Sequence, residues 1–278
     1  MCGLCGLLGP IPYGQRARAA ALETFSRLLL LSEPRGPHAT GVAWIAGDGA
    51  YKVEKAPLPA RQFVLTPGYL DWLAGVPADV TALLGHTRWP TRGTVHQPAN
   101  NHPLIAELPL ALAAGASTPA PAMLLTHNGV VDQSDRLAAR WGLPRQAEVD
   151  SDVLLQLAVR ASGPAGLDVP AYLAWLAQVP GRMAMAVCDT RQPQQVLLVR
   201  GTMPLAVGCH RRRRLLAYAS EAATLQRALP GDTGWTPVPF PPGQACLIDT
   251  HDPADLHWFP WTPRGPRREE EGVTCPSW

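Results

Sequence analysis

The sequence is poor in charge, in lysine and in aromatic residues. Charged residues make up 17% of the 278 positions, aromatic residues 6%, and the only lysines are Lys52 and Lys55. The formal net charge of +2 is too small to attract a nucleic-acid backbone, so we expect no nucleic-acid partner. Hydrophobic residues make up 46% of the chain, which excludes an intrinsically disordered protein and predicts a sizeable core.

Signals for export and for membrane insertion are also lacking. No basic stretch precedes an apolar one at the N-terminus, as a secretory signal requires. Residues 108–126 are uncharged and about as long as a membrane span, but Pro109, Gly115, Pro119 and Pro121 interrupt them. We interpret this run as a strand, a loop and a second strand. The chain is therefore predicted to be cytoplasmic, with no membrane contact.

A second closely spaced pair of cysteines is missing. Cys2 and Cys5 are three residues apart, but a zinc site of the usual kind needs another such pair. We therefore expect no metal ion and no cofactor. The apolar runs around Cys188, Cys209 and Cys246 predict buried thiols that pack as small hydrophobic side chains.

Apolar periodicity predicts strands that come in runs, with helices grouped between and after them. A strand is predicted over residues 2–9, an amphipathic helix over 15–32, and two strands joined by a turn at 47–49. Further strands are predicted at 80–89, 121–131, 182–190, 195–201, 204–210, 214–220, 243–250 and 255–261, and helices at 151–162, 169–179 and 221–229. This order is typical of an α+β architecture with antiparallel sheets and outer helices. We assign residues 2–260 to one domain and 261–278 to a C-terminal tail.

Cys2 places a reactive side chain at a chain end, which usually frays. Removal of Met1 would give Cys2 a free α-amine, whose ordinary pKa is near 8. Such an amine is partly neutral at physiological pH, so it can take the proton of its own thiol, directly or through a water. Cys2 is therefore a candidate nucleophile.

Polar clusters at the ends of predicted strands supply the other groups that attack on a carbonyl requires. Asn128 offers a side-chain N–H and Gly129 an approachable backbone N–H, the two donors of an oxyanion hole. Arg88 can hold a carboxylate, and Asp150 can hold an ammonium group. A carboxylate and an ammonium group together are the two ends of a free α-amino acid.

Six segments in this order resemble the class II glutamine amidotransferase domains. They are M-C-G-L-C-G-L-L-G at the N-terminus, R-G-P-H-A-T-G (35–41), G-H-T-R-W-P-T-R-G (85–93), N-N-H-P (100–103), H-N-G (127–129) and V-D-S-D (149–152). The segments R-G-T-M-P-L-A-V-G (200–208) and A-S-E (219–221) continue the resemblance, which covers roughly residues 2–250. These domains are N-terminal-nucleophile hydrolases, found at the front of glucosamine-6-phosphate synthase and amidophosphoribosyltransferase.

The resemblance implies a four-layer αββα sandwich whose N-terminal cysteine lies at the end of a central strand. It implies that Cys2 attacks the side-chain amide of L-glutamine, that ammonia leaves, and that water then releases glutamate from a γ-glutamyl thioester. By the same resemblance, Asn128 and Gly129 form the oxyanion hole, Arg88 binds the substrate α-carboxylate and Asp150 binds its α-ammonium group.

Other residues receive lesser roles. The resemblance implies that Trp89 and Thr91 line the glutamine pocket. We expect Arg35 and Gly36 to shape the loop that covers the site, and His86 to orient the loop that follows its strand.

Two positions depart from the family pattern. Arg92 stands where glucosamine-6-phosphate synthase has a histidine, and Asp152 stands where the family usually has glutamate. Neither change removes a proposed catalytic group. We expect Asp152 to be a helix-cap companion of Asp150 without a charged partner, and Cys5 to be a packed thiol. Residues 113–122, rich in Gly, Ala and Pro, look like an insertion.

The sequence leaves the acceptor of the ammonia open. Only the tail follows residue 250, so we expect a separate synthetase or transferase subunit to take the ammonia, and homo-oligomer formation is also open. Three alternative functions are kept. They are an N-terminal-cysteine amidase for another γ-glutamyl or acyl-amino-acid substrate, a non-catalytic regulatory subunit with the same fold, and a zinc or redox module built on Cys2 and Cys5.

Overall fold

Two antiparallel sheets form the centre of the molecule in the computed structural model, which describes residues 1–11, 14–108, 120–229 and 234–262. The seven-stranded sheet has the order β13-β11-β12-β1-β4-β2-β3. Its strands are β1 (Gly3–Leu8), β2 (Ala39–Ala46), β3 (Tyr51–Ala56), β4 (Val80–Arg88), β11 (Ala206–His210), β12 (Leu215–Ala219) and β13 (Trp235–Val238). The N-terminal strand β1 is therefore central, with β12 and β4 on its two sides.

The second sheet has six strands in the order β15-β14-β10-β9-β6-β5. They are β5 (Leu104–Glu107), β6 (Ala122–Val131), β9 (Gly181–Asp189), β10 (Gln195–Arg200), β14 (Gln244–Asp249) and β15 (Leu256–Pro260). A separate hairpin joins β7 (Ser162–Gly163) to β8 (Gly166–Leu167).

Seven helices are assigned in the described residues, and they form the two outer layers. They are α1 (Gln15–Ser32), α2 (Ala60–Phe63), α3 (Pro67–Ala74), α4 (Ser134–Trp141), α5 (Asp152–Arg160), α6 (Val169–Leu176) and α7 (Ala222–Ala228). Helices α1, α2, α3 and α7 share an apolar cluster with the seven-stranded sheet. Helices α4, α5 and α6 share another with the six-stranded sheet, and a third cluster fills the space between the sheets. Three apolar interfaces separate four layers, which confirms the predicted sandwich.

Strand β1 shows how the sequence produces these layers. Side chains of a strand alternate between its two faces, so Leu4 and Leu8 enter the cluster between the sheets, while Cys5 and Leu7 enter the cluster under the helices. All six residues of β1 are buried. Because both faces of β1 pack against other layers, the residue directly before it is held at the end of a rigid strand.

Most predicted elements are confirmed, the helix over 15–32 at both ends. Residues 109–119, which include most of the predicted insertion, and residues 263–278 of the predicted tail lie outside the described residues. Trp261 is buried, and its backbone N–H donates to the Gly243 carbonyl at 2.8 Å. Among the described helices, none is long and apolar enough to cross a membrane.

Candidate active site

Cys2 is held from two directions at the entrance to β1. The backbone N–H of Trp89 donates to the Cys2 sulfur at 3.4 Å, and the thiol lies 3.5 Å from the Trp89 carbonyl oxygen. On the other side, Arg35 Nε donates to the Cys2 carbonyl at 2.9 Å. The loop after β4 and the turn after α1 thus fix both the thiol and the backbone of Cys2.

The electrostatics of the site act on the Cys2 thiol in opposite directions. Burial raises its pKa most strongly, and the carboxylate of Asp150 raises it further. The Trp89 N–H, the α-amine of Met1 and the Arg88 guanidinium lower the pKa. Because burial dominates, the thiol stays protonated at neutral pH and needs a base before it can attack. Arg88 and Asp150 are both close enough for their charges to act on this sulfur.

Asn128 lies on β6 of the facing sheet. Residues 124, 126 and 128 of this strand share one face, and Leu124 belongs to the apolar cluster between the sheets. Asn128 is 0% exposed, and neither its amide nitrogen nor its amide oxygen has a hydrogen-bond partner among residues 1–11, 14–108, 120–229 and 234–262. Since burial without a partner is unfavourable for an amide, this side chain is available for a substrate oxygen.

Gly129 adopts a conformation that other residues avoid. Its φ is +152°, and a Cβ atom at this position would lie 1.8 Å from the Arg182 carbonyl oxygen on β9. A side chain is therefore incompatible with the β6–β9 ladder at this point, and the position requires glycine.

Asp150 is a buried carboxylate at the mouth of α5. Its Oδ2 accepts from the Val131 N–H at 2.6 Å, and its Oδ1 accepts from the Ser151 N–H at 3.0 Å. No basic side chain forms an ion pair with it within the part of the chain that the structure describes. A carboxylate that is 7% exposed and lacks a cation is well suited to an ammonium group.

Arg88 is the last residue of β4, and its guanidinium donates hydrogen bonds to acceptors of the protein itself. Its Nη1 donates to Asn101 Oδ1 at 2.7 Å and to the Thr94 carbonyl at 3.3 Å. Its Nη2 donates to the carbonyls of Arg92 and Gly93 at 2.6 and 2.8 Å. These bonds hold the loop after β4 in place. The role of Arg88 in binding a substrate carboxylate stays a prediction.

Thr91 and Asp150 line the same cavity, beside the loop after β4. The cavity has a volume of about 370 Å³, and its wall also includes Arg92, Val130 and Val131. Trp89, by contrast, does not line it. Its side chain is 47% exposed and meets the His38 ring edge-on, with 4.8 Å between centroids.

Comparison with known proteins extends the resemblance. No family model matches the chain. A glutamine–fructose-6-phosphate aminotransferase (isomerizing) from Caulobacter vibrioides is 32% identical over 213 residues, which are 75% of this chain and 30% of that protein. The protein of the same name from Idiomarina loihiensis is 27% identical over 208 residues, 74% of this chain and 30% of its own length.

The chain contains a domain of the class II glutamine amidotransferase type. It spans about 30% of the length of these curated relatives. The solved structure of glutamine phosphoribosylpyrophosphate amidotransferase from B. subtilis superposes with a TM-score of 0.67 at 18% identity, covering 93% of this chain and 49% of that one. This likeness shows that the amidotransferase domain has the layered fold.

His86 of the amidotransferase domain has a hydrogen-bond partner on the facing sheet. Its Nε2 lies 2.9 Å from the His127 carbonyl oxygen on β6, so it donates across the sheet interface. Its role in orienting the loop after β4 stays a prediction. Burial lowers the pKa of His86 to about 3, which leaves the ring neutral. Its neighbour His102 stacks on it with 4.3 Å between ring centroids.

The low pKa of His86 makes a prediction about stability. Between its ordinary pKa near 6.5 and about 3, the unfolded chain binds a proton that the folded chain does not. The free energy of unfolding therefore falls as pH drops through this window, by about 1.4 kcal/mol per pH unit for this group. His86→Gln keeps an N–H donor for the His127 carbonyl without a titrating ring, so its stability should fall less steeply. Urea denaturation at pH 7, 6, 5 and 4 measures the two slopes, and equal slopes would contradict the prediction.

Arg35 contacts Cys2 directly, and Gly36 lies beside the end of β4. Their role in shaping the loop that covers the site stays a prediction. Besides its bond to Cys2, Arg35 forms an ion pair with Glu221 at the start of α7. Gly36 packs against the end of β4, where a Cβ atom would lie 2.4 Å from the Thr87 carbonyl oxygen. Arg35 thus joins Cys2, which directly precedes β1, to the start of α7.

Asp152 has a charged partner that the sequence pattern did not reveal. Arg145 Nε lies 3.4 Å from Asp152 Oδ2, and the same guanidinium donates to the Val149 carbonyl at 3.0 Å. Asp152 also accepts from the Gln146 N–H at 3.1 Å. This corrects the expectation that Asp152 has no charged neighbour. The segment that presents Asp150 is therefore held by Arg145.

Cys5 takes no part in the site. It is 0% exposed under the helical layer, and burial raises the pKa of its thiol to about 12. In the described ranges, no group of three His, Cys, Asp or Glu residues is arranged to hold a metal ion.

Substitution of Gly129 should destabilise the domain strongly. Gly129→Ala combines an unfavourable φ with a clash against the backbone of β9, so we expect a loss of more than about 3 kcal/mol in the free energy of unfolding. Gly142 is the matched control, because its φ is +59° and a Cβ atom there would have no neighbouring atom within 4 Å. Gly142→Ala should cost about 1 kcal/mol. Urea denaturation compares the two variants, and equal losses would show that the clash is relieved by backbone movement.

Proposed function

We propose that the chain hydrolyses the side-chain amide of L-glutamine and releases ammonia for an acceptor enzyme. One observation supports this proposal above all: the charge of a carboxylate acts on a buried thiol, and strand β6, which contacts β1, carries a buried amide that has no hydrogen-bond partner in the described residues. The thiol belongs to Cys2, the amide to Asn128 and the carboxylate to Asp150. Few substrates need all three, and an α-amino acid with a side-chain amide is one of them.

The reaction begins with the transfer of the Cys2 thiol proton to the α-amine that removal of Met1 exposes. The sulfur forms a bond to the amide carbon, and the carbonyl oxygen takes the negative charge, facing the Asn128 amide and the Gly129 N–H. The ammonium form of the α-amine then returns the proton to the amide nitrogen. The carbon–nitrogen bond breaks, ammonia leaves, and a γ-glutamyl thioester remains on Cys2.

Water completes the cycle by the same steps. The α-amine takes a proton from water, the oxygen attacks the thioester carbon, and the carbon–sulfur bond breaks. Glutamate leaves and the thiol is restored with the proton from the amine. The curated relatives are named as aminotransferases that act on fructose 6-phosphate, but this chain covers only part of them. We propose a synthetase or transferase as the acceptor of the ammonia, without naming its substrate.

Active-site labelling tests the proposal directly. The purified chain is incubated with 6-diazo-5-oxo-norleucine, a glutamine mimic that alkylates the attacking thiol, and its peptides are analysed by mass spectrometry. We expect a terminal peptide that begins at Cys2 and carries the label, and we expect glutamine to prevent labelling. Cys188 and Cys246, buried in the six-stranded sheet, serve as internal controls that stay unmodified. A folded chain with Cys2 exposed at its terminus and unlabelled would contradict the proposal and favour a regulatory subunit.

A further inference from the structure

A closed circuit of covalent and hydrogen bonds surrounds the proposed oxyanion hole. His127 Nδ1 lies 2.7 Å from Ser151 Oγ, and four residues further along β6 the Val131 N–H donates to Asp150 Oδ2 at 2.6 Å. Since Asp150 and Ser151 are consecutive, these two bonds fix the loop before α5 to β6 at two points. We call this set of four residues, His127, Val131, Asp150 and Ser151, the His127 circuit.

The His127 circuit encloses the proposed oxyanion donors and includes the carboxylate proposed to bind the substrate ammonium group. Asn128 and Gly129 lie between its two attachment points on β6, and Asp150 is itself a member. The side chains of β6 alternate between its two faces. Asn128 therefore faces the space between the sheets, whereas His127 faces the helical layer that holds Ser151. The position of the carboxylate relative to the oxyanion donors is therefore set by the circuit and not by a flexible loop.

A bond from the opposite sheet fixes the circuit in turn. Strand β5 pairs with β6 only from Ala122 to Leu125, whereas β9 pairs with β6 as far as Val131. Beyond Leu125, one edge of β6 has no strand beside it in the described part of the chain. The His127 carbonyl in this stretch accepts from His86 of β4 at 2.9 Å. His127 is thus held by its backbone and by its ring, and both partners are buried.

We propose that His127 and Ser151 are positioning residues. They connect two parts of the site, so that binding of the substrate α-ammonium group by Asp150 also fixes the placement of Asn128 and Gly129. This inference rests on the proposed function. It adds that the ammonium group of the substrate accelerates amide cleavage, because its binding aligns the scissile carbonyl with the oxyanion donors. Misplacement of reacting groups by about 1 Å typically costs about 100-fold in rate.

The test compares two substrates that differ only in the α-amino group, L-glutamine and glutaramate. Ser151→Ala removes the hydroxyl partner of His127. We expect kcat/KM for glutamine to fall about 10- to 100-fold, mostly in kcat, and kcat/KM for glutaramate to fall less than about 3-fold. Ser151→Thr keeps the hydroxyl and should restore the glutamine rate. His127→Leu breaks the same bond from the other side and should reproduce the Ser151→Ala pattern, which keeps the test available if one variant does not fold.

Ser162→Ala is the matched control. Ser162 lies just beyond the other end of α5, where its hydroxyl donates to the Ala158 carbonyl at 2.9 Å, so the change removes a similar bond far from Asp150. It should leave both substrates within about 2-fold of the wild type. Equal losses on glutamine and glutaramate in Ser151→Ala would assign Ser151 to helix stability alone and overturn the inference. A wild-type chain that hydrolyses neither amide would instead overturn the proposed function, and the inference with it.

Discussion

Replacement of Cys2 by alanine is expected to reduce glutamine hydrolysis by at least about 10³-fold, because no other group at the site can form the thioester. The fold should persist. Cys2 precedes β1 and is only half-buried, so we expect the free energy of unfolding to change by less than about 1 kcal/mol. Steady-state release of ammonia and urea denaturation measure the two quantities on the same preparation.

Cys5→Ala is the matched control for this prediction and should show the reverse pattern. The Cys5 thiol is buried among apolar side chains of α1 and neighbouring strands, so its loss leaves a cavity that costs about 1 kcal/mol or more. Its rate of glutamine hydrolysis should stay within about 3-fold of the wild type. Full activity in Cys2→Ala, or loss of activity in Cys5→Ala with the fold intact, would assign the reaction to a different nucleophile.

The amine of Cys2 can be tested without touching its thiol. An uncleaved Gly-Ser extension before Cys2 converts the amine to an amide that cannot accept a proton. Since burial raises the pKa of the thiol, loss of the base should be nearly as damaging as loss of the sulfur. The same extension at the C-terminus is the control. Equal rates for both extended chains would show that another group takes the proton.

The sequence predicted the layers well for a simple physical reason. Strands and helices of this chain are amphipathic or apolar throughout, and each periodicity corresponds to one kind of element. In β1, for example, alternation alone separates Leu4 and Leu8 from Cys5 and Leu7. The order of the strands within each sheet was not predicted, since nothing local specifies that β1 lies between β12 and β4. The resemblance implied only that the N-terminal cysteine lies at the end of a central strand.

The partners of the polar side chains could not be predicted in the same way. His86 and His127 are 41 residues apart, and their bond depends on how two sheets face each other. The same holds for Arg88, whose type predicted a carboxylate partner and whose hydrogen bonds go to protein acceptors of the 92–101 segment. Arg145 and Asp152 are only seven residues apart, but the pattern of the intervening turn gave no sign that the two would meet. Residue type indicates what a group can bind, and only the fold determines which partner is within reach.

Asn128→Leu should lower the activity of the domain without lowering its stability. Removal of one oxyanion donor typically costs about 10²–10³ in kcat, and we expect a loss of this size for glutamine with little change in KM. The Asn128 amide is fully buried and has no partner in the described residues, so its replacement by an apolar side chain removes an unfavourable term of about 1–3 kcal/mol. Some of this gain is offset by the different shape of leucine.

The net result for Asn128→Leu should be an unfolding free energy equal to that of the wild type or up to about 2 kcal/mol higher. Thr126→Val is the matched control, because Thr126 is buried on the same face of β6 two residues earlier and valine has the same shape. Its activity should stay within about 3-fold of the wild type. A strong loss of stability in Asn128→Leu would show that the amide is satisfied in the resting protein, and a normal kcat would exclude it from the oxyanion hole. The expected pair, a slower and more stable domain, would identify Asn128 as a group whose only partner is the substrate.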